Sequence, residues 1–493
     1  MTVTSRAVRT FRLSLGFSAI LLLGGCSMLP HDPAEVAIIN PQQAQLSAVI
    51  HLAGSGWPAS NWWTKYNDPQ LNMLISQALQ NSPRVQAAQL QIAQSEANVD
   101  VARSLSGVQA TAVAAQNRLR TSHRSFTWPY SFSLPESSSG PWYTLNTVGI
   151  GGALNIDLWG TDRARVAAAI GEKNARLAET AATEQAVAAN VAQLYFSIQS
   201  SWQRIALLQQ QEQISSFSVA AHKDRVARGL EDDVALAGAQ SEYLSAQQQL
   251  LGEQTVLAST KEVLRALIGA GADSAAIASL QPRPLPQTQQ GLPPVLSYQL
   301  LSRRPDLQAL RGYVLSSLSR VEVAKTAFYP HFDIKAFWGY NALNVGDLFK
   351  YSFQQINLLP GLYLPLFNGG RLNANLRAAR TASNILIKQY NQAVLDAVRD
   401  VAVSSQQLNS VNQQLVMQQQ KVAAAQVSAD SADARYRRGL MSLYASREVQ
   451  RVTLAQQLLL TDMQYRQIST DISLTQALGG GYNSPLQPLH AHQ

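Results

Sequence analysis

Charge is scarce in this sequence. Asp, Glu, Lys and Arg make up 14% of its 493 residues, against roughly 25% in ordinary soluble domains. The polar surface must therefore come from Gln, Asn, Ser and Thr, which suits long, closely packed helices wetted by water. Cysteine is nearly absent: Cys26 is the only one, so no internal disulfide can form. Its apolar run, Leu13 to Leu23, falls short of the ~20 residues that a transmembrane helix needs. The sequence shows no Ser/His/Asp arrangement, phosphate loop or Cys/His set, which argues against an enzyme and against a bound cofactor or metal. His490 and His492 read as part of a tail. The formal net charge is +8, yet no basic stripe carries interleaved aromatics, which argues against nucleic acid as a partner.

Arg6, Arg9 and Arg12 precede the apolar run, and Leu23-Gly24-Gly25-Cys26 closes it. This is the pattern of a signal peptide ending in small residues. Residues 1–25 are expected to be removed, leaving a net charge of +5 (8 − 3). The pattern resembles a bacterial lipoprotein box, which implies a lipid on Cys26. Ser27, and no acidic residue, follows the cysteine; in lipoproteins that implies sorting to the outer membrane.

Residues 26–65 lack periodicity and read as an extended arm. Trp57, Trp62 and Trp63 either sit at a membrane interface or pack the arm onto the body; packing is preferred. Helical pattern begins at Asp68-Pro69, a cap followed by proline in the first turn. It runs to about Arg103, with Pro83 as a kink or break. A β-hairpin is expected over about 107–157. Val148, Ile150, Leu154 and Ile156 alternate with Thr147, Gly149, Gly151, Asn155 and Asp157, so one face is dry and the other wet. A helix follows from about 162 to 228. At 1.5 Å per residue it would be a rod of ~100 Å. Val187, Val191, Leu194, Ile198, Ile205 and Leu208 form a coiled-coil seam along it, with Ser201 in the missing place. The chain turns at Arg228-Gly229-Leu230 and returns to about 268. Residues 270–294 read as a Pro/Gly linker.

The organisation then repeats. Residues 81–87 match 303–309 at an offset of 222, and Arg228-Gly229-Leu230 matches Arg438-Gly439-Leu440 at an offset of 210. The first repeat is 66–269, with a helical hairpin over about 162–268. The second is 295–481, with a β-hairpin over about 330–367 and a helical hairpin over about 371–478; 482–493 is a tail. Phe332, Ile334, Ala336, Trp338 and Tyr340 face one way in the second β-hairpin. His331, Asp333, Lys335, Gly339 and Asn341 face the other. The returning strand is expected over Ile356 to Phe367, with Pro360 and Pro365 at a bend and at its end. Val394, Val398, Val401, Leu408 and Leu415 keep heptad register in the helix that follows.

Four amphipathic strands cannot close a barrel, and lipid does not tolerate open sheet edges. If the strands span a membrane, chains must associate; three would supply twelve strands. The Gln/Ser/Ala-rich helices then line a watery conduit.

The duplication, the lipoprotein box, Asp157-Leu158-Trp159-Gly160, Leu364-Pro365-Leu366-Phe367-Asn368-Gly369-Gly370-Arg371 and the Arg-Gly-Leu turns resemble the TolC-type outer-membrane factors. The similarity is to their lipoprotein branch, over about residues 50 to 482. It implies a homotrimer of mixed α/β membrane architecture: a twelve-stranded antiparallel outer-membrane β-barrel, four strands per chain, continuing into a long periplasmic helical coiled-coil barrel. It implies a passive, gated conduit for drugs or other small solutes. Its partners would be a periplasmic adaptor (a membrane fusion protein), an inner-membrane pump and outer-membrane lipid. Rival readings are the outer-membrane conduit of a type I protein secretion system, and a lipid-tethered periplasmic structural protein.

By the same resemblance, Gly229-Leu230 and Gly439-Leu440 are adaptor-docking tips; the plain alternative is that they are only helix turns. Tyr444 and Glu448, neighbours on one helix face, would point into the closed mouth as a bulky plug and an acidic ring. This chain has Tyr where relatives carry Leu, and Glu where they carry Asp. Alternatively, Glu448 pairs with Arg447 or Arg451 on the surface. Tyr436 and Arg437 match latch positions that bond acids on a neighbouring hairpin. Glu231, Asp232 and Asp233 are the nearest such acids, unless they are merely a solvated cluster.

Overall fold

The computed structural model describes residues 34–39, 57–120, 142–271, 274–287 and 303–483. Cys26 and the leader lie outside the described residues, as do most of the first β-hairpin loop, part of the linker, and His490 and His492. The chain divides into two compact units, one of Met1–Ala37, Gln94–Asn174 and Gly312–Lys388, the other of Ile38–Ala93, Ala175–Arg311 and Gln389–Gln493.

Seven helices of more than one turn are described: α1 (Pro69–Asn81), α2 (Pro83–Ser104), α3 (Thr161–Ala227), α4 (Asp233–Leu267), α5 (Pro305–Thr326), α6 (Arg371–Arg437) and α7 (Leu443–Ala477). The four described strands are β1 (Gln109–Arg120), β2 (Trp142–Ile156), β3 (His331–Ala342) and β4 (Gln354–Tyr363). α3 and α6 are each 67 residues long, and α4 and α7 each 35.

The first unit holds one antiparallel sheet in the order β1-β2-β3-β4. Paired residues share a face. Val148 pairs with Tyr340, Ile150 with Trp338, Leu154 with Ile334 and Ile156 with Phe332. Trp338 pairs onward with Ile356, Ala336 with Leu358 and Phe332 with Leu362. The alternation thus becomes one continuous apolar face across β2, β3 and β4, and much of it is exposed: Trp338 by 49%, Ile356 by 70%, Leu358 by 69%. The other face carries Asn155, His331, Asp333, Lys335 and Asn341, interrupted by Val113, Leu119, Leu145, Phe337 and Leu359. Phe337 has a reason to be there. Gly149 and Gly339 pair directly, and a Cβ on Gly149 would come within 2.7 Å of the Phe337 ring. The ring lies over bare backbone, replacing the side chains that two glycines lack.

The returning strand ends at Tyr363, short of the expected Phe367. Leu364, Leu366 and Phe367 lie past the last ladder pair, His331 with Tyr363, and so stand outside the sheet. Pro360 lies inside β4 opposite Ile334. The strand thus runs through Pro360 to Tyr363 without the break expected there.

The second unit has the larger core. The Asp68 side chain accepts from the backbone N–H of Gln70 at 2.9 Å and caps α1. Its second oxygen accepts from Tyr195 Oη at 2.6 Å. Ser82 ends α1, and Pro83 starts α2. Trp62, Tyr66, Leu71, Leu74, Ile75, Val187, Val191, Phe196, Ile198, Leu264 and Ile472 pack together. Trp62 meets Trp63 and Tyr66 edge-to-face, and Trp57 takes the Arg303 guanidinium over its ring. All three tryptophans therefore face protein, and the end of the arm is a 3-10 turn, Trp62–Tyr66. Part of the expected linker is also ordered: Leu280 and Leu285 join the core, and the Arg283 N–H donates to Gln199 Oε1 at 2.6 Å.

Each helical hairpin is fastened by different chemistry. Ser201 is buried in the α3 seam, donating to Glu253 of α4 at 2.7 Å, and Arg204 reaches the other Glu253 oxygen at 3.0 Å. Between α6 and α7 the fasteners are neutral: Gln418 to Gln456, Gln467 to Asn412, and Thr453 to the Ala425 carbonyl.

Candidate functional site at the hairpin tips

Two 67-residue helices stop at the same kind of signal. Gly229 has φ +70° and Gly439 φ +73°, the left-handed conformation in which glycine escapes a Cβ penalty. The Leu230 N–H donates back to the Arg225 carbonyl at 2.9 Å, and the Gly229 N–H to Val226 at 2.9 Å. Leu440 and Gly439 repeat this with Arg435 and Tyr436, at 2.9 and 2.8 Å. Both are Schellman closures. Asp232 then caps α4 by accepting from the Ala235 N–H, and Ser442 caps α7 by accepting from Ala445. Each turn leaves a leucine standing out, Leu230 exposed by 66% and Leu440 by 75%. Helix closure explains the glycines; it does not require an exposed leucine after each.

The other sequence-derived residues cluster beside these turns, with partners the sequence did not disclose. Tyr444 lies in the first turn of α7. Its hydroxyl is 3.3 Å from His222 Nε2, and the two rings meet edge-to-face at 5.1 Å. His222 Nδ1 is 2.6 Å from a Glu231 oxygen, and the other Glu231 oxygen accepts from Arg225 at 3.1 Å. Glu448 accepts from Arg451 Nε at 2.9 Å, and Arg451 extends a second nitrogen to Glu242 of α4 at 3.4 Å. Beside the tips, two links among the described residues run between the hairpins: His222 to Tyr444, and Glu242 through Arg451 to Glu448.

Tyr436 and Arg437 stand differently. Arg437 pairs with Asp433 of its own helix at 2.6 Å. Of the acids considered for it, Glu231 holds His222 and Arg225, and Asp232 caps α4. Beside the tips, the side-chain contacts between the hairpins described above are those of Tyr444 and Arg451.

Sequence reasoning passed over His222 and Glu242; it named Arg451 as a surface partner for Glu448, and that pair is present at 2.9 Å. The repeat offered a signal for the first. At the 210 offset His222 faces Ala432, Glu231 faces Met441, and Val234 faces Tyr444. The tips differ where the link is built.

Beside the second tip a groove of about 560 Å³ lies between α3, α6 and α7, with Ile214, Phe217, Leu443 and Leu454 among its walls and Asp430, Asp433 and Arg447 at its polar positions.

Known proteins fit this arrangement. The family description "Outer membrane efflux protein" matches residues 74–270 and 296–480. The multidrug resistance outer membrane protein MdtP of Escherichia coli K12 is 44% identical over 464 residues, covering 94% of this chain and 95% of its own length. MdtQ of Escherichia coli O157:H7 is 35% identical over 468 residues, covering 94% and 97%. Among solved structures, the outer membrane protein VceC of Vibrio cholerae superposes with a TM-score of 0.74 at 29% identity, over 86% of this chain and 100% of that one. The Campylobacter jejuni CmeC outer membrane channel gives 0.79 at 19% identity, over 93% and 95%; at that identity the likeness speaks for the fold alone. The chain belongs to the outer membrane efflux protein family, and its function is that of an outer-membrane efflux channel.

Proposed function

We propose that the channel is a homotrimer that conducts drugs or other small toxic solutes from a periplasmic adaptor and inner-membrane pump to the exterior. The observation that carries this reading is the sheet. It has one continuous exposed apolar face and two edges, β1 and β4, without a partner strand among the described residues. Such edges are excluded from lipid unless they pair. Three copies in sequence give twelve antiparallel strands and no edge. Val148 to Ile156 spans nine residues of apolar face, about 27 Å along the strand and ~20 Å of height at the ~35–45° tilt of such strands, which falls within the ~25 Å apolar band of outer-membrane barrels. The helical hairpins form a second, periplasmic barrel. The two halves of the chain are structural repeats, as the equal helix lengths support.

Cys26 carries the lipid anchor. Its reach fits. Glu35 pairs with buried Arg380 at 2.9 Å, and the Val36 N–H donates to Asn384 at 3.2 Å. Arg380 lies nine residues into α6, about 14 Å along the helix. Nine residues also separate Cys26 from Glu35, and they span up to ~30 Å when extended. The lipid can therefore reach the membrane level at which α6 begins.

Leu230 and Leu440 are the docking knobs for the adaptor. Tyr444 and Glu448 narrow the mouth. Three carboxylates brought together there would favour cations. Tyr436 and Arg437 remain as latch residues only between protomers, since Arg437 binds its own helix within one.

The test is conductance of the purified protein in planar bilayers. Wild type is expected to show low, cation-favouring conductance. The double variant Tyr444→Ala/Glu448→Ala should conduct more and select less. Unchanged conductance and selectivity would remove both residues from the gate.

A further inference from the structure

The two tips share a backbone turn and differ in charge. At the 210 offset, Arg225 and Arg228 of the first tip recur as Arg435 and Arg438 of the second. Cations at the end of a helix suit its dipole and its unused carbonyl groups. That accounts for the arginines at both tips alike, but not for what surrounds them. At the first tip both are neutralised: Arg225 meets Glu231 at 3.1 Å, and Arg228 meets Asp224 at 3.3 Å. At the second tip the positions of those two acids hold Met441 and Ala434. Arg435 and Arg438 are exposed, and neither has an ion pair among the described residues. Over residues 223–233 the first tip has three Lys/Arg against four Asp/Glu, a net charge of −1. Over the matching residues 433–443 the second has three against one, a net charge of +2.

We propose that the second tip is a docking site for an acidic partner surface: an apolar hollow of the adaptor receives Leu440, and carboxylates on its rim reach Arg435 and Arg438. This rests on the reading of Leu440 as a docking knob and adds the chemistry of what it docks into.

The geometry of the turn puts both charges beside the knob. The Leu440 N–H donates to the Arg435 carbonyl at 2.9 Å, which folds the leucine back toward that residue. The Arg438 N–H donates to the Ala434 carbonyl at 3.3 Å, so the helical turn runs on through it. At a spacing of three residues, Arg435 and Arg438 share one side of that turn. A Cβ built on Gly439 would have nothing within 4 Å, so the approach to Leu440 is open.

The chain's own acids do not use these two guanidiniums. Glu231 binds His222 and Arg225, and Asp232 caps α4. Asp433 holds Arg437 at 2.6 Å. Asp430 accepts from Gln426 and lies eight residues before Arg438, about 12 Å along the helix. A paired guanidinium must release its carboxylate before it takes another, so the first tip gains little from an acidic partner. Its Asp233, exposed and without an ion pair among the described residues, repels one. An unpaired guanidinium keeps its whole fork of donors for a carboxylate. Three copies bring three tips of each kind to the mouth, and an acidic partner selects the three formed around Leu440.

The test uses the full-length channel in its own outer membrane. An apolar photo-crosslinking phenylalanine analogue replaces Leu440 or Leu230, and the captured peptide is sequenced. The probe at 440 should capture a segment of another polypeptide with Asp or Glu within about one helical turn of the captured residue; the probe at 230 should capture none of that kind. Arg435→Gln/Arg438→Gln should lower the yield at 440 about five-fold, as loss of two exposed ion pairs implies. Arg435→Glu/Arg438→Glu should lower it further, and changing the captured acids to Lys should restore it. Arg435→Lys/Arg438→Lys should keep most of the yield, and Arg225→Gln/Arg228→Gln should leave it unchanged. Trimer recovered from outer membranes shows that each variant has folded. Capture of a second copy of this chain at 440, capture of a segment without acids, or a yield indifferent to the Gln and Glu variants overturns the proposal. Capture of another polypeptide that ignores charge leaves the docking reading standing, whereas no capture at either tip removes both.

Discussion

Placing one arginine on each face of β4 separates a membrane barrel from a water-exposed sheet. Leu358 and Leu359 are neighbours, exposed by 69% and 60% in the single chain, and their side chains point to opposite faces. Leu358 lies in the middle row of the apolar face, beside Ala336 and between the Trp338–Ile356 and Ile334–Pro360 rows. Leu359 pairs with Lys335 on the polar face. In water, both substitutions replace an exposed leucine, and such surface changes usually stay within about 0.5 kcal/mol. In a lipid-embedded barrel the symmetry breaks. An arginine at the bilayer midplane costs about 2–4 kcal/mol, which is about 30-fold or more in the folding equilibrium at 1.4 kcal/mol per decade. Leu359→Arg faces the aqueous lumen and adds only modest repulsion from Lys335. The assay is equilibrium folding from guanidinium into lipid vesicles, alongside recovery of each variant from outer membranes. Leu358→Arg should lose about 2–4 kcal/mol and be depleted from membranes, whereas Leu359→Arg should stay close to wild type. Equal losses for the two variants would refute both the assignment of faces and the barrel built on it.

Two further outcomes follow from buried and terminal chemistry. Burial, with Asp471 beside it, holds the Tyr66 phenol well above its ordinary titration, and burial with Asp68 does the same for Tyr195. Both groups are raised on folding, so their contribution is complete below about pH 10 and is lost as pH climbs, by about 1.4 kcal/mol per pH unit for each. Burial lowers the titration of Lys65, which acts the other way with a single group. The melting temperature should therefore fall steeply above pH 10, and a Tyr66→Phe/Tyr195→Phe variant should melt lower at pH 8 but with a shallower alkaline slope; an unchanged slope would show that neither phenol is involved. Separately, Cys26→Ala should abolish metabolic acyl labelling while the trimer still forms in the outer membrane, and persistent label would contradict the lipid assignment.

Faces and turns were legible in the sequence because they depend on local periodicity. Alternation from Phe332 to Tyr340 assigns each side chain to a face with no knowledge of its partner, since a strand repeats every two residues. Gly229 and Gly439 mark helix ends because a left-handed residue is a local requirement. Asp68-Pro69 and Pro83 mark helix starts for equally local reasons. The order of these signals, given twice, was enough to suggest a channel.

Whatever depended on a partner distant in the chain waited for the tertiary structure. Pairing register joined the alternations of β2 and β3 and carried them onto β4 as one apolar face, and it showed why Phe337 breaks the polar one: its ring covers the Gly149–Gly339 pair. Ser201 looked like a gap in a heptad seam and is a buried link to Glu253. Arg437 looked free to cross to the other hairpin, but Asp433, four residues earlier, is nearer along the same helix. His222 and Tyr444 are 222 residues apart, and no periodicity reports such a meeting. Sequence determined where the helices stop and which way each strand faces; only the packing of one hairpin against the other decided which side chains join them, because that choice lies in distances that the chain's local order does not encode.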